Sequence, residues 1–252
     1  PVTEREPLLA VGEWGRGAGK GFYESRRSLQ AAVASAPEES RNGTRWELAK
    51  FFFANDFIAD TRAMLKLMRD ADAGVVRDPA YRGMRGITAV LSRRMKEAQS
   101  ILMQPDLDRY PDVQLWRGAI FAAKDKMVVA NRIFATEFGL LSELPVSWRQ
   151  RLLYDWVEAA LAADDQSSFK IAASLLAKLP VPKGRRGQLD YLEGRAAELR
   201  KEPDLVLEAY DKVLKTGARR PRLRAAVARA NLMLANESMD REQAIAALER
   251  HR

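Results

Sequence analysis

From about Asn42 onward, apolar residues recur at three- and four-residue intervals, in stretches such as "ELAKFFFANDFIADTRAMLKLM" and "WRGAIFAAKDKMVVANRIFATEFG". That is the period of a helix with one buried face, and Leu, Ala, Arg, Glu and Lys dominate these stretches. Short breaks carry Pro, Gly, Asp or Asn: "DPAY", "QPDLDRYPD", "ELPVS", "LPVPKGRRG", "KEPD" and "TGARRP". Alternating β-branched segments of strand length are missing, so the pattern predicts an all-α chain. Upstream, "GFYESRRSLQAAVASAPEES" predicts one amphipathic helix ended by Pro37, with Phe22, Leu29 and Val33 as its buried stripe. The chain thus divides into an irregular Gly-rich lead-in (1–21), an N-terminal helix (22–41) and a helical array (42–252).

A second pattern lies on top of the first. A small residue is followed twelve positions on by another, and four later by a bulky one. The set runs Ala49/Thr61/Leu65, Gly86/Ala98/Leu102, Gly118/Ala130/Phe134, Ala160/Ala172/Leu176 and Gly194/Val206/Tyr210. A looser sixth is Ala228/Ala244/Leu248, with an internal gap of sixteen. Middle members are spaced by 37, 32, 42, 34 and 38 residues, an irregular period of the length expected for stacked helical hairpins. Two antiparallel helices come close only where facing side chains are small, and the bulky residue fills the space beside them. Each hairpin stays apolar on a second side, which only the next hairpin covers.

These stretches, and above all "YLEGRAAELRKEPDLVLEAYDKVL", resemble tetratricopeptide (TPR) repeats. There Gly194, Ala197, Pro203, Tyr210 and Val213 fall where that family prefers small, turn and large residues. The resemblance covers roughly Arg45 to Leu248 and is degenerate, since Thr61 and Val206 replace the usual alanine and the spacing wanders. It implies a right-handed α-solenoid of about five to six antiparallel helix pairs. The first helix would be the second half of a preceding unit. "DREQAIAALERHR" would stop in mid-helix without a polar capping helix, as in a piece of a longer protein or a chain whose ends pack on something else.

By the same resemblance the first helix of each pair lines a concave face that binds a partner. That lining would include Trp46, Lys50 and Phe53, then Ile87, Val90 and Leu91, then Leu115 and Ala119. Tyr154, Val157 and Leu161 follow, and then Tyr191, Arg195 and Glu198. The lysine- and asparagine-rich carboxylate clamp of chaperone-binding members is not matched, because Trp46 occupies one of its sites. The alternative for these apolar residues is packing between repeats.

Composition narrows the chemistry. The 252 residues are 47% hydrophobic, enough for a core, and contain no cysteine, which excludes disulfides, thiol nucleophiles and Cys-ligated zinc. No apolar run approaches the ~20 residues of a membrane-spanning helix. Compartment is left open between cytoplasm and periplasm. The net charge of +8 suits an acidic or amphipathic protein or peptide partner, including other parts of a longer parent chain. It also permits nucleic acid, and arginine doublets occur at Arg26-Arg27, Arg93-Arg94, Arg185-Arg186 and Arg219-Arg220, the third preceded by Lys183. Aromatic residues are not interleaved with them as single-strand stacking would want.

"GEWGRGAGKGF" raises a phosphate loop and dismisses it. Counting back from Gly19-Lys20 puts Trp14 where the first glycine belongs, and Gly21 stands where Ser or Thr would hold Mg²⁺. An irregular lead-in anchored by Trp14 explains the glycines better. His251 sits next to the end with no partner for general-base work. Glu38-Glu39, Asp164-Asp165, Asp106 and Asp108 fall at helix ends and turns, where acids cap N-termini. The expectation is therefore no catalytic residue, no cofactor and no metal: a protein–protein interaction module or scaffold, with a basic nucleic-acid-binding repeat protein as the alternative.

Overall fold

The structure, a computed structural model, describes residues 6–14, 20–181, 186–216 and 219–250. Gly15–Gly19 of the glycine-rich stretch, Lys183, Arg185, the side chain of Arg220 and His251 lie outside the described residues. Among the described residues there are thirteen α-helices and no strand. They are α1 (Lys20–Ser35), α2 (Arg41–Ala54), α3 (Ile58–Ala71), α4 (Pro79–Leu91), α5 (Met95–Leu102), α6 (Pro111–Ala123) and α7 (Met127–Glu137). Then come α8 (Val146–Ala162), α9 (Gln166–Ala177), α10 (Arg186–Arg200), α11 (Pro203–Thr216), α12 (Arg219–Ala235) and α13 (Arg241–Glu249). The chain divides into two compact units: residues 1–163 with 167–176, and residues 164–166 with 177–252.

Helices pair in order, α2 with α3, α4 with α5, α6 with α7, α10 with α11 and α12 with α13, a packing compatible with a helical repeat. The small-to-large triplets are where they close. A Cβ added to Gly86 would lie 2.5 Å from the Leu102 side chain, and one on Gly118 would lie 2.9 Å from the Phe134 ring. On Gly194 it would lie 2.5 Å from the Tyr210 ring. Thr61, Ala98, Ala130, Ala172 and Val206 are buried in these seams.

One turn joins the two helices of each of these pairs and recurs between α8 and α9. A non-glycine residue in the left-handed region stands at Asp56, Arg93, Asp125, Asp164, Lys201 and Glu237, with φ between 53° and 63°. After Asp56, Arg93, Asp125, Lys201 and Glu237, the next residue's N–H reaches back five positions to close the helix end: Phe57 to Phe52, Arg94 to Ala89, Lys126 to Phe121, Glu202 to Ala197 and Ser238 to Met233. The turn residue's own N–H also bonds three positions back, as Arg93 to Val90 and Asp125 to Ala122, so two carbonyls the helix end would leave open are satisfied. Helix starts are secured individually. Asp78 accepts the Tyr81 N–H ahead of Pro79, and Asp240 with Gln243 forms a reciprocal cap on α13.

In the first unit, Phe22, Leu29 and Val33 of α1 pack on Leu48, Phe51 and Phe52, the stripe expected of that helix. The first helices also touch one another, α4 on α6 and α6 on α8. The start of α8 reaches further. The Trp148 ring lies edge-on to Phe53 at 4.7 Å and to Trp116 at 5.6 Å, and its indole N–H donates to Asp56. Arg151 donates to the carbonyls of Val90 at 2.8 Å and Leu91 at 3.0 Å. In the second unit α10 packs on α12, around Ala197, Val206, Tyr210, Val213, Ala225 and Ala228.

Candidate functional site

Ahead of α1, the described part of the lead-in has neither helix nor strand, and it is anchored. Residues 6–14 form a hook against α2, α4 and α6. Asp112, in the first turn of α6 behind Pro111, turns a buried carboxylate onto it. One carboxylate oxygen accepts the Leu8 N–H at 2.8 Å and the other accepts the Leu9 N–H at 3.0 Å. Burial pushes the Asp112 carboxyl above the ordinary 3.8, against the opposing effect of these amides and of the Val113 and Asp112 N–H groups. Leu9 and Val11 are buried in the body.

After Leu9 the backbone bends back on itself, with Val11 N–H donating to the Leu9 carbonyl and Glu13 N–H to the Ala10 carbonyl. Trp14 then sets its ring 6.1 Å from Phe53, with the Lys50 ammonium 5.9 Å above it. Gly83 makes the approach possible, since a Cβ there would lie 2.7 Å from a Leu8 methyl. A Cβ on Gly12 would run into the Glu143 carboxylate.

The residues assigned to a concave lining divide sharply. Phe53, Ile87, Val90, Leu115, Tyr154 and Leu161 are buried core, as are Ala119 and Val157. The physical reason in the first unit is that α8 and the hook already cover the side where Phe53 and Trp116 stand. Trp46, Lys50, Leu91, Tyr191 and Arg195 are half-buried. Lys50 pairs with Glu47 at 2.7 Å, and Arg195 pairs with Glu198 at 3.0 Å. Tyr191 stacks on Tyr210, whose hydroxyl donates to Glu198 and is pushed far up by burial. The sequence pattern missed Asp112, Gly83 and the Leu8–Val11 run. Their only signal was an apolar cluster, "LLAV", ahead of the glycines.

A second concave feature lies between α3, α4 and α5. A cavity of about 220 Å³ is lined by Arg62, Lys66, Arg69, Arg85, Arg94 and Glu97, over Leu65, Tyr81, Thr88 and Ala89. Glu97 pairs with Arg85 and Arg94, and Asp70 with Lys66 and Arg69, so much of that positive charge is neutralised in place. Three of the acids expected at helix ends and turns make other contacts or turns here. Asp106 pairs with Arg82, and Asp108 pairs at 2.6 Å with Arg117, which donates to the carbonyls of Leu102 and Gln104. Asp164 is a left-handed turn residue. Among the described residues no cluster of His, Cys, Asp and Glu has the form of a metal site, and no helix is long and apolar enough to cross a membrane.

No family model, no curated protein and no solved structure matches the chain.

Proposed function

We propose that this chain is a non-catalytic protein–protein interaction module of the TPR-like kind, a scaffold that receives a segment of a partner on its first helices. The observation that carries the reading is the hook. A short, non-helical stretch is held on α2, α4 and α6 through backbone amides, buried aliphatic side chains and one aromatic ring. Those are the means by which helical scaffolds hold peptides. Half-buried Trp46, Leu91, Tyr191 and Arg195 supply further surface for the same purpose. Aromatic and arginine side chains in such positions carry most of the affinity of an interface.

Capture from an extract of the parent organism tests this. The immobilised wild-type chain is compared with Trp46→Ala and Tyr191→Ala, each checked by circular dichroism. The expected result is a partner recovered by wild type and at least about tenfold less by one of the variants, at unchanged helicity. Equal recovery by all three, or a collapse of helicity showing these residues to be core, counts against it. The basic cavity favours a second reading, attachment to nucleic acid. In that case binding to a random duplex falls steeply with salt and weakens in Arg62→Ala.

A further inference from the structure

The hook and its seat have the chemistry of a ligand and a receptor, and this inference rests on the interaction-module reading above. We propose that residues 8–14 are a built-in occupant of a peptide site on α2, α4 and α6. The site's external ligand is then a partner segment of the same chemistry. It carries two consecutive apolar residues whose successive amides meet Asp112, a third apolar residue two positions on, and an aromatic ring three further, in the pattern Leu8-Leu9-x-Val11-x-x-Trp14.

Asp112 is the selective element. A carboxylate buried in an apolar surface is costly unless its oxygens are bonded, and here each oxygen takes one amide of the hook. Removing the hook exposes a carboxylate spaced to accept another pair of adjacent N–H donors. Side-chain preference follows from what surrounds the carboxylate. Gly83 gives a flat patch of α4 for the first leucine, the body closes over Leu9 and Val11, and Phe53 with Lys50 receives the ring. Nothing in the hook is woven into a helix pair. Its described backbone bonds run to Asp112 or within itself. The five residues joining it to α1 read Gly-Arg-Gly-Ala-Gly in sequence. A tether that short gives the hook an effective concentration in the millimolar range. The wild-type site is therefore closed to weak ligands and opens to those that outcompete it.

The test is fluorescence polarisation with a labelled synthetic peptide, EPLLAVGEW, against the full chain and its Leu9→Asp variant. A charge at Leu9 expels the hook and frees the seat. The peptide should bind Leu9→Asp at least about tenfold more tightly than wild type, given the millimolar competitor removed. Adding Asp112→Ala to Leu9→Asp should abolish that binding. Binding equal to wild type, binding insensitive to Asp112, or no binding by a folded Leu9→Asp chain overturns the proposal. So does cooperative loss of the body's thermal transition in Leu9→Asp, because the hook is then core.

Hydrogen exchange on the wild-type chain gives a second reading free of variants. The Leu8 and Leu9 amides should exchange through a local opening, at least about a hundredfold faster than core amides of α4 and α6. Equal rates overturn the proposal. A chain that captures its partner yet fails these tests loses only the hook's role, whereas peptide binding without any captured partner leaves the seat and removes the scaffold.

Discussion

The two units follow one set of rules and fill their insides differently. In both, helices pair through a small residue against a bulky one, Gly118 on Phe134 in the first and Gly194 on Tyr210 in the second. In both, the connecting turn passes through a left-handed residue, Asp125 in one and Lys201 in the other. The first unit then stacks large rings, with Trp116, Trp148, Phe53 and Phe134 each at most 1% exposed. The second packs alanines, valines, Leu192 and one fully buried tyrosine, Tyr210. Pairing is thus a local property that any hairpin of this composition attains. A filled interior needs parts from further along the chain, here the start of α8.

The largest effect should come from removing one such part. Trp148→Ala deletes the ring between Phe53 and Trp116 and leaves the Asp56 carboxylate without its indole donor. Emptying a buried tryptophan site costs about 3–5 kcal/mol, and thermal unfolding should show the loss in the transition of the first unit alone. An equal loss in both transitions would mean the units do not melt separately. Next come the glycines the two units share. Gly118→Ala and Gly194→Ala each force a methyl onto a ring, and overpacking of that kind costs about 1–3 kcal/mol. Gly194→Ala should be the worse, because its Cβ would lie closer, 2.5 Å against 2.9 Å. Denaturant titration of the pair decides the order.

How much of this was legible follows the range of the interactions. The triplets could be read because hairpin packing is local and steric, and only a small residue fits opposite a ring. The offset of the small residue from the turn is not the same in every pair. Ala49, Gly86, Gly118 and Gly194 each stand seven residues before the left-handed turn residue, but Ala160 stands four before and Ala228 nine before. The positions seven before in those pairs are Val157 and Ala230, both buried. The hook was illegible because its anchor is 104 residues away in sequence. An aspartate behind a proline at a helix start reads as a residue that suits the helix dipole, and nothing local says its carboxylate is buried. The burial of much of the expected lining has a related cause. Phe53 and Tyr154 lie on first helices as expected, and the tryptophan that covers Phe53 comes from α8, 95 residues further on.

A gentler test acts on that anchor through pH. Burial raises the Asp112 carboxyl above the 3.8 it has in the unfolded chain, so the folded chain holds this proton more tightly. The stability this contributes is fully present below pH 3.8 and is lost as pH rises through the raised value. Asp112→Asn cannot titrate, so the decline over that interval should vanish from a stability-against-pH series. A decline of the same size in the variant would assign it to other carboxylates.

The smallest effect separates the turns themselves. Left-handed backbone costs a residue with a Cβ roughly 1–2 kcal/mol, less for aspartate, which visits that region more readily. Glycine removes the strain and adds about 0.5–1 kcal/mol of chain entropy to be lost on folding. Lys201→Gly, at φ 58°, should therefore stabilise the second unit by about 0.5 kcal/mol, while Asp125→Gly, at φ 61°, should leave the first almost unchanged. Chemical denaturation read separately for each unit resolves the two. Reversal of that order would mean that Lys201 is held in its turn by contacts worth more than the strain, and that the turns are not interchangeable pieces of one repeat.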